Sequence, residues 1–228
     1  METIRVESAD KVYEDNGVAV QALRDITVSI SAGDFLAIAG PSGSGKTTLL
    51  NLMGLLDRPT RGRVLIDGED MGPLSRRERA RIRLQRMGFI FQAYNLIPVL
   101  TALENIEFTM MLQGIPERER HARALALMEE LGIAELAGKR PSQMSGGQQQ
   151  RVAVARAIVH QPPIVLADEP TANLDSKTAA ALIDLMHRLC EEKGITFVFS
   201  SHDPLVLERA QRLLYLRDGE LVREEKKG

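Results

Sequence analysis

Gly40-Pro41-Ser42-Gly43-Ser44-Gly45-Lys46-Thr47-Thr48 is the stretch whose reading decides the fold. Its spacing is Gly-x-x-x-x-Gly-Lys-Thr, the pattern of a loop that cradles phosphate. Glycines let the backbone turn tightly and present its N–H groups to an anion. The apolar run Asp34-Phe35-Leu36-Ala37-Ile38-Ala39 reads as a strand feeding the loop, and Leu49-Leu50-Asn51-Leu52-Met53 as a helix leaving it. Strand, loop and helix in that order set the positive helix end against the same anion. In this reading Lys46 reaches the terminal phosphates, the Thr47 hydroxyl sits on Mg²⁺, and Thr48 lies beside the phosphates.

Working outward toward the N-terminus, Ile4 to Tyr13 and Ile26 to Ile30 read as strands. Ile26, Val28 and Ile30 alternate with Thr27 and Ser29, the period of a half-exposed antiparallel strand. Tyr13 precedes the acidic turn Glu14-Asp15-Asn16-Gly17. In a chain that binds a nucleotide it is a candidate for stacking on the base. Toward the C-terminus, Arg63 to Asp67 is a short strand with a hairpin signal at Asp67-Gly68. Ser75-Arg76-Arg77-Glu78 is a capping box that opens a basic helix through Met87, read as a solvated face. Gly88-Phe89-Ile90-Phe91-Gln92 is a buried strand. Gln92, at its tip, is placed to meet bound phosphate and metal.

The middle of the chain is helical. Thr101-Ala102-Leu103-Glu104 is a second capping box, Pro116 suits a helix start, and Ala124, Leu127, Met128 and Leu131 form one apolar face that Gly132 ends. This block interrupts the strand–helix alternation, so residues 93–161 are expected to be an inserted helical subdomain. Ser145-Gly146-Gly147-Gln148 then opens another helix. Two glycines beside a hydroxyl make a second anion-binding helix end, or, on spacing alone, an ordinary Ser cap followed by permissive glycines. One nucleotide does not need two such ends from one subunit. Two subunits facing each other would each lend the second end to the other's nucleotide.

Pro163 to Ala167 is an apolar strand ending in Asp168-Glu169. Asp168 is expected to hold Mg²⁺ and Glu169 to orient and deprotonate the attacking water. Thr196-Phe197-Val198-Phe199-Ser200-Ser201-His202 is a further apolar strand, whose terminal His202 can donate to the γ-phosphate. Leu213 to Val222 reads as a closing hairpin, and the mixed charges of residues 223–228 as a frayed end.

Bulk properties restrict the alternatives. The chain has 228 residues, long enough for one large α/β domain, and a formal net charge of −2, which gives no general attraction to nucleic acid. Cys190 is the one cysteine, so no disulfide forms within the chain. It follows Leu182, Leu185, Met186 and Leu189 at helical spacing and reads as a packing thiol. No apolar run reaches the ~18 residues needed to span a bilayer, and the chain is expected in the cytoplasm unless a partner holds it at a membrane.

These motifs in this order resemble the ATP-binding subunits of ABC transporters, nearly end to end. The resemblance implies an α/β fold: a P-loop NTPase (RecA-like) core, an N-terminal antiparallel β-subdomain and the helical insertion. It makes Gly40 to Thr47 the Walker A loop, Gln92 the Q-loop, Ser145 to Gln148 the signature, Asp168 the end of Walker B, Glu169 the catalytic glutamate, Asp175 part of the D-loop and His202 the switch histidine. Tyr13 matches the aromatic A-loop position. Met144 stands where the family usually has Leu, a swap of similar volume. Phe91-Gln92-Ala93-Tyr94-Asn95-Leu96-Ile97-Pro98 and Asp168-Glu169-Pro170-Thr171-Ala172-Asn173-Leu174-Asp175 look like the lipoprotein-release and macrolide-export group, which often has Gly at Ala172 and Thr at Ser201.

By that resemblance the chain dimerises around two Mg·ATP and drives a separate integral-membrane permease of the large-ectodomain type. It would sit at the cytoplasmic face of the inner membrane. Ala93 to Thr101 is the expected seat for the permease, through an apolar surface of Tyr94, Leu96, Ile97 and Val99. One alternative is a soluble ABC-type ATPase of DNA repair or chromosome maintenance. Such proteins place long coiled coils between the Walker A loop and the signature, whereas Lys46 and Ser145 are only about a hundred residues apart here, without sustained heptads. A P-loop small-molecule kinase would need neither Ser145 to Gln148 nor a water-activating Glu169.

Overall fold

The computed structural model describes residues 2–15 and 17–227. Strands β1 (Glu2–Asp15) and β2 (Val18–Ser31) form a long antiparallel pair. Sequence patterning locates their inner halves. The pair runs beyond Tyr13, since Glu14 faces Ala19 and Asp15 faces Val18. Asn16, in the expected turn, lies outside the described residues. Ile26, Val28 and Ile30 are buried and Thr27 exposed, as alternation requires. β4 (Arg61–Ile66) and β5 (Glu69–Asp70) complete this sheet in the order β2-β1-β4-β5. Positive φ at Asp67 and Gly68 makes the turn between them.

The second sheet has the order β10-β9-β3-β8-β7-β6. It contains β3 (Phe35–Ala39), β6 (Met87–Ile90), β7 (Ile164–Asp168), β8 (Thr196–Ser200), β9 (Arg212–Arg217) and β10 (Glu220–Lys226). All pair in parallel except β10, which runs antiparallel to β9. β3, β7 and β8 read as unbroken apolar runs because both faces of the sheet are covered. Phe35, Ala37, Val165, Phe197 and Phe199 point into one core. Leu36, Ile38, Ile164, Leu166 and Val198 point into the other, which the first sheet and helix α1 (Lys46–Met53) close. The three phenylalanines pack on one another, with Phe35 edge-on to Phe199 at 4.7 Å between centroids.

Between β6 and β7 the described chain is helical and looped: α3 (Ala102–Leu112), α4 (Glu117–Glu130), two single 3₁₀ turns, and α5 (Gly146–Ile158). α2 (Arg76–Arg86) precedes β6, α6 (Ser176–Lys193) follows β7, and α7 (Pro204–Arg209) follows β8. The capping boxes at Ser75–Glu78 and Thr101–Glu104 form, Pro116 caps α4, and Gly132 turns the chain in the left-handed region just beyond it. α5 lies so close to β6 that a Cβ on Gly88 would come within 2.3 Å of the Ala157 carbonyl oxygen. Cys190 is buried on α6, and burial lifts its thiol pKa to about 11.

One expectation fails. Residues 223–226 belong to β10 and are not frayed: Arg223 faces Tyr215, Glu224 faces Leu214 and Lys226 faces Arg212. Arg212, largely buried, holds the strand through Glu224 at 2.8 Å and also reaches Asp34 at 2.8 Å. Charge alternation at the C-terminus is here an edge strand with its ion pairs, not solvated coil.

Candidate functional site

Backbone geometry comes first. Gly40, Gly43 and Gly45 all have positive φ, at 154°, 79° and 101°. A Cβ on Gly40 would sit 2.2 Å from the Leu216 carbonyl oxygen, so the loop closes onto β9 only with glycine there. Ser44 is buried beside it, with a hydroxyl that has no partner among the described residues. Gly45 caps α1 without a side-chain bond, which leaves the first N–H groups of the helix free for a ligand. Lys46 is nearly buried, and its Nζ donates to the Gly40 and Pro41 carbonyls at 2.8 and 3.0 Å.

A cavity of about 600 Å³ lies over this loop. Pro41, Ser42, Gly43, Gly45, Lys46, Thr47 and Thr48 line it, whereas Gly40 and Ser44 shape the loop from behind. Gln92, Glu169 and His202 line the same cavity from the ends of three other elements, and Val20 to Ala22 of β2 form its remaining wall. β6 stops at Ile90, so Gln92 projects from a turn two residues past the strand end.

Thr47 Oγ1 donates to Asp168 Oδ1 at 3.0 Å, and Ser200 Oγ donates to the same oxygen. Glu169 has φ of 46°, a left-handed conformation that costs a residue with a side chain. It is held there: its N–H donates to the Ser200 carbonyl, Oε1 shares a hydrogen bond with His202 Nδ1 at 2.8 Å, and Ser201 Oγ donates to Oε2 at 3.4 Å. Thr171 Oγ1 donates to Asp203 at 2.8 Å, which ties the turn after Glu169 to the one after His202.

Tyr13 does not line the cavity; Val20, its cross-strand partner, does. The Tyr13 hydroxyl donates to Asp57 Oδ2 at 3.0 Å and Lys11 Nζ stands 4.7 Å from its ring centroid. Burial first, and then Asp57, raise the phenol pKa.

Ser145 to Gln148 face a separate cavity of about 380 Å³ that shares no lining residue with the first. Ser145 Oγ accepts from Gln148 N–H, and Gln148 Oε1 accepts from Ser145 N–H at 2.9 Å. The glycines between them do more than permit a turn. A Cβ on Gly146 would lie 2.7 Å from the Tyr94 hydroxyl, and one on Gly147 2.7 Å from Thr178 Cγ2. Asp175 lines this second cavity and caps α6; the Thr178 hydroxyl first, and then the Thr178 and Lys177 N–H groups, donate to its carboxylate and lower its pKa.

Three residues to which the sequence motifs give no role tie together the elements that carry the two cavities. Asn173 Nδ2 donates to the Gln92 carbonyl at 2.9 Å. Arg156 of α5 donates to the Asn95 and Tyr94 carbonyls at 2.5 and 2.8 Å, holding two consecutive residues at positive φ. Gln150 of α5, fully buried, donates to the Pro170 carbonyl at 2.8 Å. α5 therefore braces both Gln92's segment and Glu169's loop.

The apolar surface expected over Ala93 to Thr101 is only partly present. Val99 is 71% exposed, but Leu96 packs against the core, and Tyr94 and Ile97 are half-buried. Asn105, buried on α3, holds this segment by bonds to Ile97 and to the Leu100 and Thr101 carbonyls. Met111 and Leu112 are large apolar side chains exposed nearby in sequence, and Leu56, also exposed, lines a groove with Asn95 of this segment. A larger cavity of about 890 Å³ lies at the starts of β7 and β8, lined by Pro162, Pro163 and Ile195. Its Lys193 and Glu130 neutralise each other, and it holds none of the residues above.

Residues 23–172 match the family model described as ABC transporter. An uncharacterized ABC transporter ATP-binding protein of Methanocaldococcus jannaschii, MJ0796, is 45% identical over 98% of this chain and 97% of its own length. The macrolide export ATP-binding/permease protein MacB of Brucella melitensis biotype 1 is 46% identical over 98% of this chain, which spans 34% of that protein. A dimeric structure of the MJ0796 cassette in a post-hydrolysis state, bound to ADP and Pi, superposes with a TM-score of 0.91 at 44% identity and covers 98% of each chain.

Proposed function

Because the chain belongs to the ABC transporter family, we propose that it is the ATP-hydrolysing subunit of a transporter, working as a dimer around two ATP and driving a membrane permease. The observation that carries this is the pair of cavities. One gathers the phosphate loop, Gln92, Glu169 and His202; the other presents a helix N-terminus at Ser145 to Gln148 with no phosphate loop of its own.

Within one subunit, the loop N–H groups and Lys46 bind the phosphates. Glu169 accepts a proton from the attacking water, with His202 holding its carboxylate and facing the γ-phosphate. Gln92 reports the γ-phosphate to the turn before α6 through the Asn173 bond, and the Arg156 bonds join the segment that follows Gln92 to α5. We assign stacking on the base to the Tyr13 ring, from the β1 position paired with Val20 of the cavity wall. Ser145 to Gln148, with Asp175 beside them, complete the site of the opposite subunit.

Mg²⁺ fits this site. Thr47 and Asp168 offer a hydroxyl and a carboxylate 3.0 Å apart, and a hard cation bound to few protein oxygens takes its other ligands from phosphate and water. Those two residues, with Gln92, would hold it, and the ion would neutralise charge on the transferred phosphoryl group.

We place residues 93–161 as a helical subdomain that moves with the permease. MacB-like relatives carry ATP-binding and permease parts by name. No helix among the described residues is long and apolar enough to cross a membrane. We place the chain peripherally at the cytoplasmic face of the inner membrane, held by a permease of the large-ectodomain type. The DNA-maintenance reading loses its distinguishing feature: α4, the longest described helix between Lys46 and Ser145, has 14 residues and no coiled-coil arm.

The test is recovery of an integral-membrane protein with the tagged chain from detergent-solubilised membranes. Leu56, 46% exposed and outside the phosphate loop, is changed to Asp. Recovery should fall at least tenfold while Mg·ATP binding stays at the parent level, because a carboxylate placed in an apolar contact is desolvated without a partner. Full recovery by Leu56→Asp would move the docking surface elsewhere.

A further inference from the structure

Gln150 is fully buried in the second turn of α5, yet it uses only half of its amide. Its Nε2 donates to the Pro170 carbonyl at 2.8 Å, while its Oε1, also buried, has no hydrogen-bond partner among the described residues. A buried amide oxygen left unpaired costs stability. An apolar side chain of similar length would avoid that cost, so packing alone does not account for glutamine at this position. Retained costs of this kind gather at functional sites.

The bond that Gln150 does make falls directly after Glu169, whose φ is 46°. A buried network surrounds the Glu169 carboxylate. Ser201 Oγ donates to Glu169 Oε2 at 3.4 Å and accepts from Asp203 N–H at 3.1 Å, and Thr171 Oγ1 donates to Asp203 Oδ2 at 2.8 Å. Thr171, Ser200 and Ser201 are all buried. These partners sit at or just past the ends of β7 and β8. The turn's own backbone bonds run from Ala172 N–H to the Glu169 carbonyl and from Leu174 N–H to the Thr171 carbonyl. Among the described residues no backbone N–H reaches the Pro170 carbonyl, and Gln150 supplies the one hydrogen bond from α5 to residues 169–171.

α5 is a firm anchor for that bond. Val152 to Ala155 are all buried, and Arg156 holds the segment after Gln92. A donor fixed on this helix keeps the turn after Glu169 from rotating, and so keeps the direction of the Glu169 carboxylate.

We propose that Gln150 is a positioning residue for ATP hydrolysis, one that aims Glu169 by pinning Pro170 to α5. The inference rests on Glu169 as the general base in the reading above and adds the residue that sets its geometry. A carboxylate that must meet one water tolerates little misplacement: a shift of about 1 Å costs up to about a hundredfold in rate.

The experiment compares single-turnover hydrolysis, Mg·ATP affinity and thermal unfolding of the full chain with those of Gln150→Met, Gln150→Asn and Glu169→Gln. Gln150→Met keeps the length and removes both the donor and the unpaired oxygen. Gln150→Asn keeps the amide but is one methylene too short to reach Pro170. Both should hydrolyse about ten- to a hundredfold more slowly. Their Mg·ATP affinity should stay within about twofold of the parent's, because the interaction lost is one that acts on the transition state. Gln150→Met should unfold at the parent's temperature or above, since it loses an unpaired buried oxygen along with the bond. Added to Glu169→Gln, Gln150→Met should slow the residual hydrolysis no further, because no base remains to be aimed.

Parent-like hydrolysis by either Gln150 variant overturns the inference. So does equal slowing of the parent and of Glu169→Gln by Gln150→Met, which would mean that Gln150 acts elsewhere. Slowing accompanied in both Gln150 variants by lost ATP binding or a lower unfolding temperature marks a packing residue and overturns it too. If Glu169→Gln itself hydrolyses as the parent does, the general-base reading fails and the inference falls with it.

Discussion

The Glu169→Gln chain is expected to bind ATP as the parent does and to hydrolyse it about 10²–10⁴-fold more slowly, the contribution of a positioned general base. Two observations separate the two effects. Glu169 lies outside the phosphate loop, so the N–H cradle and Lys46 are untouched. Its carboxylate is also held for one task, by His202 at 2.8 Å and Ser201 at 3.4 Å, on a backbone bent to φ 46°. Glutamine can keep a hydrogen bond to His202 but cannot take the proton from water. Nucleotide titration by a fluorescent ATP analogue and single-turnover hydrolysis measure the two quantities. Near-parent turnover would remove Glu169 from the role, and lost binding would show that it shapes the cradle.

Lys46→Ala is expected to do the reverse and weaken ATP binding about ten- to a hundredfold, the loss of a hydrogen bond to a charged group. The change reaches further than one contact. Lys46 Nζ ties the Gly40 and Pro41 carbonyls together, and without it those two acceptors lose a buried partner and the loop loosens. Lys46→Arg should not restore affinity, because the planar guanidinium cannot bridge the same carbonyls from that depth. Isothermal titration with ATP measures the constant; parent-like affinity in Lys46→Ala would contradict the assignment.

Much of the fold was legible because it obeys short-range rules. The strand before the loop, the glycines within it and the helix after it are all local in sequence. So are the capping boxes, since a Ser or Thr bonds to the N–H three residues on. β7 and β8 were legible as apolar runs because helices and a second sheet cover both their faces. The tail misled because alternating charge describes an edge strand with ion pairs as well as it describes coil, and Arg212, which decides the matter, lies 12 residues before Glu224.

Within the candidate site, the side chains that line the loop cavity carry recognisable types at strand ends. The side chains that position them do not. Arg156, Asn173 and Gln150 act by donating to backbone carbonyls 61, 81 and 20 residues away. A carbonyl is present at every residue, so such bonds leave no pattern to read. Leu96 was misplaced for a related reason: apolar residues in a loop signal burial but not whether the covering surface belongs to the same chain, and here it does.

The central claim is that Ser145 to Gln148 complete a nucleotide site on another copy of the chain. Sedimentation velocity of the Glu169→Gln chain, with and without saturating Mg·ATP, tests it most directly, because slow hydrolysis preserves the γ-phosphate that both cavities would share. A monomer without nucleotide and a dimer with Mg·ATP is the expected result. A monomer under both conditions would contradict it.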